Sequence, residues 1–132
     1  MTKNINVKTG SRTEFLNITL KVQQVVKDSG VKSGICYVYV PHTTAAVTIN
    51  EGADPSVVKD ILSELNRVIP RSNNYLHMEG NSDAHIKTSL IGSSETVIVE
   101  GGKLQLGTWQ AIFFCDFDGP RDRQVIVKVT GE

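Results

Sequence analysis

The segment KNINVKT, residues 3–9, alternates polar and apolar side chains as a strand with one buried face does, and RTEFLNI, residues 12–18, reads as a second strand. Gly10-Ser11 between them predicts an opening hairpin. From about Thr19 the spacing changes, because Val22, Val25 and Val26 recur at helical intervals and Gly30 follows the last turn as a C-terminal cap. GICYVYV, rich in β-branched and aromatic residues and halted by Pro41, predicts a central strand, with AAVTINE as the next.

The clearest helix is DPSVVKDILSELNRVI. Asp54 is placed to accept from free backbone N–H groups, Pro55 suits the first turn, and Val58, Ile61, Leu62, Leu65 and Ile69 make one apolar face that would cover a sheet. A shorter helix is predicted over DAHIKTSLIG, entered from Ser82 or Asp83 and ended by Gly92. ETVIVEGGKLQLGTWQAIFFCDF reads as a hairpin turning at Gly101-Gly102, followed by a longer strand from about Thr108. In RQVIVKV the valines 125, 127 and 129 alternate with other residues, as in a closing strand. The order of elements predicts an α+β fold over residues 1–132, a single compact domain with a mainly antiparallel or mixed β-sheet and helices packed on one face.

Composition narrows the function. With 132 residues the chain can close a core without staples, and its 14 basic residues against 14 acidic ones do not suit a broad nucleic-acid or anionic-membrane surface. No apolar run has the length of a membrane span, and MTKNINVKTG lacks the apolar centre of a secretion signal, so a cytoplasmic protein is expected. Cys36 and Cys115 lie far apart in strand-like contexts, unlike a CxxC pair.

Three polar clusters could carry chemistry. The first offers His42, Thr43 and Thr44 after one strand and Asn50, Glu51 and Asp54 after the next; equally, Asp54 caps a helix and Glu51 is a solvated acid. The second, LHMEGNSDAHIK, holds His77 and His85 eight positions apart, with Glu79, Asp83, Glu51 and Asp54 available as further donors to a divalent ion. Its plain alternative is a histidine-bonded loop. In the third, GTWQAIFFCDFDGPRDR, Trp109 and Gln110 begin a strand, Cys115, Asp116 and Asp118 lie near its end, and Arg121 follows a Gly-Pro turn. Arg121 can grip phosphate or carboxylate with two parallel hydrogen bonds, whereas Lys87 acts as a point charge. DGPRDR also suits an exposed charged turn, and Cys115 is either an activated nucleophile or a buried thiol.

PHTTAAVTINEGADP, DAHIKTSLIGSS and GKLQLGTWQAIFFCDFDGPR together resemble the YjbQ-like family, the secondary thiamine-phosphate synthases. The likeness runs over almost the whole chain, and LGTWQ followed by FDGPR is its most specific part. It implies a homotrimer of α+β domains, with histidines and acidic residues near the subunit contacts. Carried over by position, it implies His42, Glu51, Asp54 and Cys115 as catalytic groups and His42, His77 and His85 as metal ligands. Substrate contacts would come from Thr43, Thr44, Asn50, Asp83, Lys87, Trp109, Gln110 and Arg121.

The activity implied is condensation of hydroxymethylpyrimidine diphosphate with thiazole phosphate, releasing pyrophosphate. A divalent metal, zinc or magnesium, or basic residues would stabilise the departing diphosphate. The chain shows no dense basic cradle for two phosphorylated substrates, so another phosphorylated or anionic small molecule is also expected. The readings of other classes are a metal-assisted hydrolase and a non-catalytic metal- or phosphometabolite-binding module.

Overall fold

In a computed structural model describing residues 1–132, the alternating N-terminal segment forms β1 (Thr2–Lys8) and the next strand is β2 (Glu14–Asn17). They are followed by α1 (Thr19–Ser29), β3 (Ser33–Tyr39), β4 (Ala45–Glu51), α2 (Pro55–Val68) and α3 (Ser82–Ile91). The remainder forms β5 (Ser94–Glu100), β6 (Lys103–Leu104), β7 (Gln110–Asp116) and β8 (Asp122–Gly131). The α+β class holds, all strand pairs being antiparallel.

The strands fall into two sheets. One has the order β1-β8-β3-β5-β6 and the other β2-β7-β4. Val7, Val38, Val97, Val125 and Val127 from the first meet Val47, Ile112 and Phe114 from the second in one buried core, which α1 enters through Val22, Val25 and Val26. Alternate residues of a strand face opposite ways, so the second sheet also presents Ala46, Phe113 and Cys115 to a smaller core beneath α2 and α3. Helices α2 and α3 therefore cover that sheet's outer face, while α1 belongs to the inter-sheet core.

The opening hairpin is not formed. β1 pairs with β8 and β2 with β7, because the link between β1 and β2 crosses from one sheet to the other. The crossing is held by long-range backbone bonds, from Thr9 N–H to the Arg121 carbonyl and from Gly119 N–H to the Arg12 carbonyl. Glycine is required at 119, where a Cβ would lie 2.3 Å from the Ser11 carbonyl oxygen and 2.8 Å from both the Asp116 carboxylate and the Thr9 hydroxyl. No helix is long and apolar enough to cross a membrane.

Helix α3 is anchored by charge more than by an apolar stripe. Asp83, fully buried, accepts two hydrogen bonds from the Arg12 guanidinium at 3.0 and 3.1 Å and one from Lys87 Nζ at 2.9 Å. Lys87, only 1% exposed, also donates to Asn66 Oδ1 at 2.7 Å, which ties α3 to α2. Burial alone would raise the Asp83 carboxyl, but hydrogen bonds and charge from Arg12 and Lys87 outweigh it and hold it below its ordinary value.

Asp83→Asn should therefore cost about 3–5 kcal/mol, since it leaves a buried ammonium and the Arg12 guanidinium uncompensated, and replacing the whole set by Arg12→Met/Asp83→Leu/Lys87→Met should recover much of the loss. The stability supplied by Asp83 is complete above its unfolded value near ~3.9 and is lost as pH falls through the lower folded value. Denaturation of wild type and variants from pH 7 to pH 2 checks this, and the gap between wild type and Asp83→Asn should close toward the acid end.

Candidate functional site

Three connections and two element ends meet in a polar cleft of about 670 Å³. The turn from β3 to β4 brings His42, Thr43 and Thr44; the segment before α3 brings His77, Glu79 and Asn81; α3 brings His85 from its first turn. The turn from β7 to β8 adds Asp118 and Arg121, and the start of β8 adds Arg123. All three histidines of the chain thus border one space.

Arg123 forms the floor. It is 3% exposed and grips Asp116 with Nη2 at 2.8 Å and Nε at 3.3 Å, while Nη2 also donates to Thr44 Oγ1 at 2.8 Å. Thr9 donates to the same carboxylate at 2.7 Å and the Asp118 N–H at 3.0 Å. Burial would raise the Asp116 carboxyl, but the hydrogen bonds from Arg123, Thr9 and Asp118 and the Arg123 charge hold it below its ordinary value. Nη1 of Arg123 makes no hydrogen bond within the protein and is not among the enclosed unpartnered atoms, so it is a donor open to the cleft. Arg121 has the same character nearer the rim. Its side chain is half exposed, with Nε bonded to the Asp118 carbonyl and Nη2 to the Asp118 carboxylate, both at 2.9 Å.

The histidines differ. His42 Nε2 accepts from the Gln124 N–H at 3.0 Å, which in the neutral ring leaves the proton on Nδ1. Burial, then repulsion from Arg123, lowers its basicity. His42 is therefore a neutral donor, and its Nε2 lone pair is already used. His77 and His85 meet edge to face with ring centroids 5.5 Å apart, and His77 Nε2 lies 3.8 Å from Glu79. No three His, Cys, Asp or Glu side chains converge closely enough to hold a metal ion.

Several expected site residues lie elsewhere. Strand β4 separates His42, Thr43 and Thr44 from Asn50, Glu51 and Asp54, since Ala45 pairs with Asp116 at one end of the β4–β7 ladder and Glu51 with Gln110 at the other. Six residues of extended chain put these ends about 20 Å apart. Asp54 caps α2 by accepting from Ser56 N–H, and Glu51 accepts from Ala53 N–H. Trp109, 64% exposed, and Gln110 border a different hollow with Lys21 and Gly52. Asp83 and Lys87 satisfy each other inside the protein rather than facing the cleft. Cys115 is wholly enclosed, its thiol donates to the Phe113 carbonyl at 3.7 Å, and burial raises its pKa strongly, so a nucleophilic thiolate is not available there. Burial likewise pushes Cys36 up to about 11.

Arg123, Asn81 and Thr9 were not singled out from sequence, whereas Asp116 and Asp118 were read there only as acids near the end of a strand. A signal existed for Arg123, because it shares the inward register of Val125, Val127 and Val129. A charge on the apolar face of a strand implies a buried partner.

Residues 3–132 match the family described as UPF0047 protein YjbQ-like. The chain belongs to this family. A UPF0047 protein of Methanocaldococcus jannaschii is 54% identical over 126 residues, covering 96% of this chain and 91% of that protein. The UPF0047 protein YugU of Bacillus subtilis is 48% identical over 132 residues, covering 99% and 100%. Among solved structures, a YjbQ/UPF0047 protein of Clostridium acetobutylicum superposes with a TM-score of 0.96 at 53% identity, covering 97% of this chain and 99% of that one. A YbjQ-like protein of unknown function from Sulfolobus solfataricus gives a TM-score of 0.96 at 36% identity, covering 100% and 97%.

These findings correct the expected activity. UPF0047 relatives carry a family designation without a reaction, one solved member is described as of unknown function, and thiamine-phosphate synthase activity is not indicated. In this YjbQ-like chain the cleft also has only two arginines, each already facing a carboxylate, where a diphosphate and a second phosphorylated substrate would have to be held together.

Proposed function

We propose that the cleft binds a phosphorylated or otherwise anionic small molecule through one anionic group. The observation that carries this reading is the pair of arginines, Arg123 on the floor and Arg121 near the rim, each held by a carboxylate with guanidinium donors to spare. A guanidinium fixed by its own ion pair is oriented before the ligand arrives, so less freedom is lost on binding. The Nδ1–H of His42 is a further donor, and the rings of His77 and His85 border the same space. Paired charges also favour one modest anion over several, because Asp116, Asp118 and Glu79 offset much of the positive field.

A divalent ion, zinc or magnesium, at His77 and His85 is a second reading. Two imidazoles sharing one tetrahedral ion at ordinary zinc–nitrogen distances have centroids about 5 Å apart, close to the 5.5 Å separation here. His42 does not fit as a third ligand through Nε2, and water would complete the shell.

Assembly as a homotrimer belongs to the same proposal. It is supported by an apolar outer face on the five-stranded sheet, where Ile35 pairs with Ile98 beside Tyr37 and Tyr39, all partly exposed. A cytoplasmic setting is supported by two free, buried thiols.

Titration with inorganic phosphate and a simple phosphomonoester tests the anion reading. Arg121→Ala should weaken binding by about 2 kcal/mol, Arg121→Lys should restore part of it, and the melting temperature should barely move. Equal affinity in wild type and a folded Arg121→Ala would overturn the role of Arg121.

For the metal reading, added zinc should shift the NMR signals of the His77 and His85 rings and leave His42 in place; unmoved His77 and His85 signals would remove that reading.

Light scattering should give three times the 14.5 kDa chain mass, and a monomer or dimer would refute the trimer.

A further inference from the structure

Adjoining the cleft at His42, Thr43 and His85 is an annex of about 420 Å³ with a different chemistry. It is otherwise lined by Thr88, Ser89, Gly92 and Ser93. No apolar side chain and no lysine, arginine, aspartate or glutamate borders it. Thr88 is only 8% exposed, yet its hydroxyl has no hydrogen-bond partner within the protein. A buried hydroxyl without a partner is uncommon; it is enclosed as the side chain stands, and a change of the threonine rotamer that turns it to the annex would let a ligand hydroxyl or ordered water restore the lost bond.

We propose that the ligand is a phosphomonoester of a polyhydroxy compound, a sugar or polyol phosphate, with its anionic group at Arg121 and Arg123 and its hydroxylated chain in the annex. This inference rests on the anion reading above and adds the class of the organic part. Hydroxyl groups both donate and accept, so they match a wall of threonine, serine and imidazole groups; a second charge would find no countercharge there. An aromatic ester would be drawn elsewhere. A separate hollow that shares His77 and His85 is bordered by Tyr75, Leu76 and Ile86, which suits an apolar body.

The test compares binding of inorganic phosphate, glycerol 3-phosphate, propyl phosphate and phenyl phosphate to the full chain, in wild type, Thr88→Val and Ser93→Ala. Glycerol 3-phosphate should bind about tenfold more tightly than propyl phosphate, as one or two net hydrogen bonds allow. Thr88→Val should fold at least as stably as wild type, because it removes an unpaired buried hydroxyl without changing shape. Both variants should lose most of the preference while binding inorganic phosphate as wild type does. Equal binding of the glycerol and propyl esters, tightest binding of phenyl phosphate, or a preference untouched by both substitutions overturns the polyol assignment while the anion site stands. Failure of every phosphate to bind overturns the anion site and this inference together.

Discussion

Asp116 lies at the end of the three-stranded sheet and Arg123 at the start of β8 in the five-stranded one, and their two-point contact fastens the sheets where the cleft opens. Thr9, just past β1, and Thr44, just before β4, hang from the same pair. Gly119 closes over it so tightly that a side chain would meet Asp116, Thr9 and the Ser11 carbonyl. The polar floor is therefore part of the architecture as much as of the site. A buried guanidinium and carboxylate cost much desolvation, and the added hydrogen bonds from Thr9 and Asp118 offset it.

The charges along the cleft come as matched sets. Asp116 faces Arg123, Asp118 faces Arg121, and Glu79 approaches His77. Such pairing orients donors without building a strong positive potential, which suits recognition by geometry at one anionic group and explains how a chain of zero formal net charge can still present an anion site. The histidines complete it from three separate segments, and His42 is held by the backbone of β8, the strand that also supplies Arg123.

Helix α3 delivers His85 to this space, and its position depends on a second buried charge set. Arg12, Asp83, Lys87 and Asn66 bind one another behind the helix. This accounts for two residues that the family likeness had marked for the substrate: their charges are spent inside the protein. The same separation of roles holds at the far end of β4, where Glu51, Asp54, Trp109 and Gln110 cluster about 20 Å from the cleft along the strand.

The sequence by itself determined the local elements and the family. Period-two alternation in RQVIVKV, helical spacing in DPSVVKDILSELNRVI and the Gly101-Gly102 turn are short-range signals, and each became the element it specified because neighbouring residues alone decide it. His42, His77 and Arg121 were legible as candidates because they sit in polar segments between elements, and His85 because it opens the helix that follows one of these segments. Only the tertiary structure decided that the strands divide into two sheets, that β1 turns away from β2, and that β4 separates His42 from Glu51. Strand partners are chosen by contacts between residues as much as 126 positions apart, as for Thr2 and Lys128, and no local pattern encodes that choice. Arg123 and Lys87 mark the limit most clearly: both are charged residues with a buried carboxylate partner, and what separates a cleft donor from an internal strut is that Arg123 keeps Nη1 open to the cleft while Lys87 is enclosed between Asp83 and Asn66.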